Sequence, residues 1–337
     1  MFFLASSLAF GALIYESKLS SSMHPTADCD FDFKADVGSK KIWATLITRG
    51  SYIPGVLTLN FSLIKHNSKY PLVALYTEQL LQEDLLELKK NNIKTFKINP
   101  LKPSKSCTMT NDPRFEDTWS KLYFFQLIQF ERIVQLDSDM LVLQNMDELM
   151  DIPLLDYKFG STHACVCNPK KFLHYPKNWN GENCVFSKHN YNLMQPISTL
   201  EYPIKEFRDY LGPSSHYSLA KCNSGILIVD PNLKSFKEIE KKLNDIEATS
   251  SYIFPDQDLL ADVFFKNWLA ISHNYNCLKT FKMQHEHLWD LNKIKNIHFI
   301  LSPKPWEVSE DWIDESETFN LWWQVNKERI LSEKINS

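Results

Sequence analysis

From Lys41 to Tyr76 the chain runs through a short apolar stretch, a turn, an amphipathic stretch and a second apolar stretch. Ile42 to Thr48 reads as a buried strand and Arg49-Gly50-Ser51 as the turn that ends it. Pro54 suits the first turn of a helix carrying Val56, Leu57, Phe61, Leu63 and Ile64, and Leu72 to Tyr76 reads as the next strand. Strand, helix and strand within about 35 residues make a βαβ unit, so the sheet is parallel and its crossover right-handed. Leu80 to Lys90 continues the pattern as a helix and Ile93 to Ile98 as a third strand. Pro100, Pro103 and Pro113 keep the next stretch irregular, and a helix from about Phe115 to Phe130 leads into a fourth strand.

That fourth strand, Arg132 to Leu136, runs straight into Asp137-Ser138-Asp139, with a second short apolar run behind it. Side chains alternate along a strand, so Asp137 and Asp139 leave it on the same side. With no basic residue between them they repel, and a cation is the usual remedy. Hard oxygen ligands at a strand end suit Mg²⁺ or Mn²⁺ with positions left open for a substrate's phosphates. A turn whose aspartates cap the next element is the ordinary alternative for an isolated Asp-x-Asp. Ligands of open α/β sheets gather at the carboxyl ends of strands, where Thr48 and Asp137 both lie, so one cleft can hold both.

Residues 151–220 are the least regular part and read as an ordered, substrate-facing insertion. Asn223-Ser224-Gly225 then reads as a turn before the strand Ile226 to Val229, and Leu233 to Ile246 as an amphipathic helix. Pro255 opens an acid-rich helix through Asp256, Gln257 and Asp258, Ile297 to Ile300 is a late strand, and Phe319 to Leu331 a closing helix. The net charge of −4 and the lack of a long basic run argue against nucleic acid as a partner. The seven cysteines are odd in number and scattered, which reads as reduced thiols. Cys165-x-Cys167 lacks the second pair that a structural zinc site needs, so both read as small buried residues. Residues 1–39 read as an N-terminal extension and residues 40–337 as one domain carrying the long insertion. The apolar run in residues 1–15 is shorter than the roughly 20 residues of a membrane span. No firm span is therefore expected, and the chain is placed in the cytoplasm. The alternative reads that run as a signal or anchor leading to the secretory pathway or Golgi.

Several motifs, in this order, resemble glycosyltransferase family 8, the glycogenin and galactinol synthase-like enzymes. They are Thr45-Leu46-Ile47-Thr48, Trp119-Ser120-Lys121-Leu122, Leu136-Asp137-Ser138-Asp139, Asn223-Ser224-Gly225, Asp256-Gln257 and His298-Phe299-x-x-Ser302-x-Lys304-Pro305-Trp306. The stretch from His163 to Cys184 is similar to the fungal branch of that family. The resemblance implies a GT-A fold, an α/β architecture with a Rossmann-like, mostly parallel sheet flanked by helices. It implies that Asp137, Asp139 and His298 hold a divalent ion, usually Mn²⁺ with Mg²⁺ as the substitute. It implies that Thr48 and Tyr52 surround the uracil of a UDP-sugar, that Ser138 lies with the donor, and that Lys121 and Lys304 meet its phosphates. Asn223, Ser224 and Gly225 would hold the sugar, with Asp256, Gln257 and Lys304 in the catalytic set.

Taken singly, each of these residues has an ordinary reading: Lys121 as a solvated helix face, His298 as a core histidine, Asp256 as a helix cap. The function implied is retaining, metal-dependent transfer of a hexose, glucose or galactose, from a UDP-sugar. Alternatives are a secretory-pathway N-acetylglucosaminyltransferase and a UDP-sugar-binding scaffold without turnover. The chain departs from the glycogenin pattern in three places. Ile253 replaces an aspartate three residues before Asp256, and Leu301 replaces the glycine after the late histidine. No tyrosine lies between Tyr275 and His298 to serve as a self-glucosylated acceptor, so a separate acceptor is expected. The oligomeric state is left open.

Overall fold

The computed structural model describes residues 37–103, 113–187, 221–265, 267–314 and 316–336. The apolar run in residues 1–15 and the insertion beyond residue 187 lie outside the described residues. β1 (Lys41–Ile47), α1 (Ile53–Lys65), β2 (Leu72–Tyr76), α2 (Gln82–Lys90) and β3 (Lys94–Lys97) follow the expected alternation. The expected helix before the acidic motif is a 3-10 helix, Pro113–Gln126. β4 (Arg132–Leu136) and β5 (Met140–Val142) flank the Asp-Ser-Asp turn. β6 (Gly160–His163), inside a stretch whose sequence shows no regular period, precedes β7 (Cys222–Val229). Next come α3 (Leu233–Leu243), α4 (Ile246–Ser251), α5 (Pro255–Val263), β8 (Leu269–Ile271), β9 (Cys277–Leu278) and the single turn α6 (Phe281–Gln284). β10 (Asn296–His298) and α7 (Ser316–Asn336) close the chain.

Seven strands form the main sheet in the order β3-β2-β1-β4-β7-β6-β8. β1 pairs in parallel with β2 and β4, and β2 with β3, while β7 runs antiparallel to β4 and to β6. β4 is buried along its whole length, as a strand covered on both faces must be. At the edge, β3 presents Lys94 and Lys97 to water, charges that discourage a further strand from pairing there. Helix α1 seals the sheet with Val56, Leu57, Leu59 and Leu63, all in the largest core cluster. Trp322, Trp323 and Phe319 of α7 enter a second core, where the Trp323 indole N–H donates to the Pro305 carbonyl at 2.8 Å.

A smaller sheet, β5-β10-β9, positions the site. β10 runs antiparallel to β5 with His298 opposite Met140, and the Phe299 N–H donates to the Asp139 carbonyl at 2.8 Å. On the other side of the turn, β7 places Ile226 opposite Leu136, and the Asp137 N–H donates to the Gly225 carbonyl at 2.9 Å. The Asp-Ser-Asp turn is thus clamped between one strand from each sheet. Asn223, Ser224 and Gly225 lie within β7 and not in a turn before it: Asn223 stands opposite Thr162 of β6, and Gly225 accepts from the Asp137 N–H just beyond β4. Among the described residues, no helix is long and apolar enough to cross a membrane.

One core histidine makes the fold sensitive to acid. His273 stacks on Phe281 at 4.8 Å, and its Nε2 faces the Leu288 carbonyl at 3.3 Å. Burial pushes its pKa from 6.5 down to about 4. The fold favours the neutral ring, so the unfolded chain binds the proton first on acidification. The contribution is intact above the unfolded value and is lost as pH falls from there toward the folded one, about 3 kcal/mol in all. The denaturant midpoint should therefore drop further between about pH 7 and about pH 4.5 in the native chain than in His273→Phe. Equal drops would contradict a buried neutral ring.

Candidate active site

Every residue that the sequence points to lines one cleft at the carboxyl ends of β1 and β4: Thr48, Tyr52, Lys121, Asp137, Ser138, Asp139, Asn223, Ser224, Gly225, Asp256, Gln257, His298 and Lys304. His298 Nε2 lies 3.2 Å from Asp139 Oδ1 and 3.7 Å from Asp137 Oδ2. That proximity follows from strand register, since the residue opposite His298 is the immediate neighbour of Asp139. The ring's orientation is fixed from behind, where Nδ1 sits 2.9 Å from Asn276 Oδ1. Asn276 in turn donates to Asn223 Oδ1 at 2.8 Å and to Thr162 Oγ1 at 3.0 Å.

Two lysines answer the two carboxylates. Lys121 Nζ lies 2.7 Å from Asp137 Oδ1 and 3.4 Å from Asp256 Oδ2. Lys304 Nζ donates to Asp139 Oδ2 at 2.5 Å and to the Phe299 carbonyl at 2.6 Å. Burial opposes the charge on Lys121, yet Asp137 and Asp256 outweigh it and hold the pKa above the ordinary lysine value. Burial also opposes the charge on Asp139, but Lys304 and His298 hold that carboxyl well below the usual range. For Asp137 burial prevails over Lys121 and His298, and its carboxyl is pushed up. The two acids are therefore inequivalent, with the ionised form most secure on Asp139.

The ordinary readings fail at two positions. Lys121 is 8% exposed and ion-paired, so it is no solvated face. Asp256 lies in the first turn of α5 without capping it; Asp258 accepts the backbone N–H groups of Ile253 and Phe254 at 3.0 and 2.8 Å. Tyr52 meets the edge of Trp306 at 5.7 Å, and Lys304 Nζ sits 5.9 Å from its ring centre. Thr48 donates to Asp117 Oδ2 at 3.2 Å, and the same oxygen is 3.3 Å from Arg49. Leu301, where a glycine was expected, adopts φ +62° and lines the cleft, so the glycine-type backbone persists despite the side chain.

Sequence reasoning missed Asn276, Asp117, Gln135 and Phe254, and named no individual residue of the insertion that it expected to face the substrate. Gln135 donates to Asp137 Oδ1 at 2.9 Å, and its place two residues before Asp137, on the same strand face, was a usable signal. Asn276 carried none, because it acts across 22 residues of chain. Tyr175, Trp179 and Phe254 form the aromatic side of the cleft, Trp179 stacking on Phe254 at 4.7 Å.

The architecture is that of GT-A glycosyltransferases. The solved structure of the galactosyltransferase LgtC superposes with a TM-score of 0.54, covering 85% of this chain and 95% of that one at 13% identity. Galactinol synthase 1 of Solanum lycopersicum is 28% identical over 298 residues, 86% of this chain and 82% of its own length. Galactinol synthase 2 of Arabidopsis thaliana is 25% identical over 305 residues, 88% of this chain and 84% of its own. The family model described as glycosyl transferase family 8 matches residues 44–310, so the chain belongs to that family and is a glycosyltransferase.

Gly225 is packed tightly against the His298 ring. A Cβ there would come within 2.5 Å of His298 Cε1 and 2.6 Å of its Nδ1, whereas at Gly181 nothing lies within 4 Å. Gly225→Ala should cost about 1–3 kcal/mol and shift the His298 ring resonances, while Gly181→Ala leaves both unchanged. Thermal unfolding and imidazole NMR check this. An undisturbed ring in Gly225→Ala would contradict the packing described.

Proposed function

We propose that the chain is a retaining, metal-dependent hexosyltransferase that moves glucose or galactose from a UDP-sugar to a separate acceptor. The observation that carries the reading is the meeting of Asp137, Asp139 and His298, whose ligand atoms lie within 4.8 Å of one another beside the cleft. Two hard oxygens and one imidazole form a set that Mn²⁺ accepts readily, with Mg²⁺ as a substitute. Bound there, the ion would neutralise charge on the departing diphosphate.

The chain's own groups do the rest. The two buried ammoniums now balance the two carboxylates, so a divalent ion at the acids would release Lys121 and Lys304 toward phosphate oxygens. Thr48 and Tyr52 would flank the base, with Ser138 beside the donor. Asn223, Ser224 and Gly225 would seat the sugar, the glycine permitting close approach of backbone. Asp256 and Gln257 would present polar groups to the reacting face, where a retaining transfer develops oxocarbenium character. Among donors, the galactinol synthases favour galactose. The missing tyrosine between Tyr275 and His298 supports an acceptor outside the chain.

Purified protein with Mn²⁺ should release UDP from UDP-galactose or UDP-glucose, lose the activity on chelation and regain it on adding Mn²⁺. Asp139→Ala should lower turnover by roughly 10²–10³-fold. The anomeric configuration of the donor should reappear in the product, read by NMR. Chelator-insensitive turnover, or UDP-sugar binding with no turnover on any acceptor, would overturn the reading.

A further inference from the structure

A second metal-type cluster stands apart from the acidic one. Cys165 and Cys167 follow β6, Cys184 comes from later in the same insertion, and His285 caps the single turn α6. His285 Nε2 lies 3.3 Å from Cys165 Sγ, 3.4 Å from Cys167 Sγ and 3.5 Å from Cys184 Sγ. Cys184 and Cys165 sulfurs are 3.9 Å apart, and all four ligand atoms fall within 4.8 Å of one another. Cys184 and His285 thus supply the partners that Cys165-x-Cys167 lacks locally.

Hydrogen bonding does not account for this arrangement. A ring nitrogen carries either one proton or one lone pair in its plane, so it serves one sulfur well and not three at nearly equal distance. Nor is it a disulfide. The sulfurs stand far beyond the roughly 2.05 Å of an S–S bond, and a pair would leave a third thiol over. A tetrahedral ion does account for it. With Zn–S near 2.3 Å and Zn–N near 2.0–2.1 Å, tetrahedral edges come to about 3.8 Å between sulfurs and about 3.5 Å from sulfur to nitrogen. The ring is set from outside by Phe186 and Phe281, at 5.6 and 4.9 Å, and its Nδ1 has no hydrogen-bond partner among the described residues.

We propose that Cys165, Cys167, Cys184 and His285 bind a structural zinc ion that pins residues 165–184 as one wall of the cleft. That stretch contains no strand and no helix. It carries Tyr175 and Trp179, which line the cleft and pack on Phe254, two residues before Asp256. Without regular backbone pairing, a metal tie at both ends of the stretch supplies the order that places those rings. Soft sulfur ligands select zinc, whereas the acid-rich set prefers a hard ion, so the two sites do not compete for the same metal. Zinc uptake displaces the thiol protons.

Full-length protein produced in zinc-supplemented medium and passed through gel filtration should carry about one zinc per chain by mass spectrometry. Asp139→Ala should keep it and Cys184→Ser should lose it. If Cys184→Ser does not fold, two measurements on the native chain decide. A mercurial reagent should release the zinc as thiols are blocked, and protein grown with Co²⁺ should show thiolate-to-metal charge transfer with the intense visible bands of a tetrahedral site. Folded native protein without zinc, zinc lost in Asp139→Ala, or a cobalt spectrum without thiolate bands would overturn the proposal. None of these readouts depends on transferase activity.

Discussion

Two carboxylates two residues apart and largely removed from water repel each other, and much of this fold is organised around containing them. Asp137 and Asp139 sit where the chain leaves the main sheet and enters the small one. Their backbones are held by β7 on one side and β10 on the other. Their charges meet Lys121 from the 3-10 helix, Lys304 from the loop after β10, and the His298 ring. Even the start of α1 is fitted to this turn, since a Cβ on Gly55 would lie 2.4 Å from the Ser138 carbonyl and 2.7 Å from the Trp306 ring. Removing either lysine would leave a buried carboxylate without its counter-charge, at a cost of several kcal/mol.

The parts of the fold governed by local pattern are legible in the sequence. β1, α1, β2, α2 and β3 follow from period and punctuation alone, and the same-side placement of the acids follows from strand geometry. What pairing decides was not legible. Asn223, Ser224 and Gly225 resemble a turn by composition, yet their backbone completes a strand whose partner, β6, lies in a stretch without periodicity. Ile297 to Ile300 reads as a strand, but that it pairs into a small sheet was not legible, because the strands of that sheet are two or three residues long. The resemblance to a family placed His298 beside the acids, but the reason it reaches them is the β5–β10 register.

The same limit explains the cysteines. Local spacing made Cys165 and Cys167 look incomplete, because their companions come from 17 and 118 residues further along the chain. Two donor sets of opposite character emerge on either side of the cleft wall, one of oxygen and imidazole and one of sulfur and imidazole. The first lines the cleft, and the second brackets the stretch that brings Tyr175 and Trp179 to it.

The most direct measurement is a crystal of the full chain grown with Mn²⁺ and UDP, with anomalous scattering recorded at the manganese edge. A manganese peak coordinated by Asp137, Asp139 and the Nε2 of His298 is expected, with Lys121 and Lys304 turned from the acids toward the diphosphate. A peak elsewhere, or UDP bound with both lysines still paired to their aspartates and no metal between them, would contradict it.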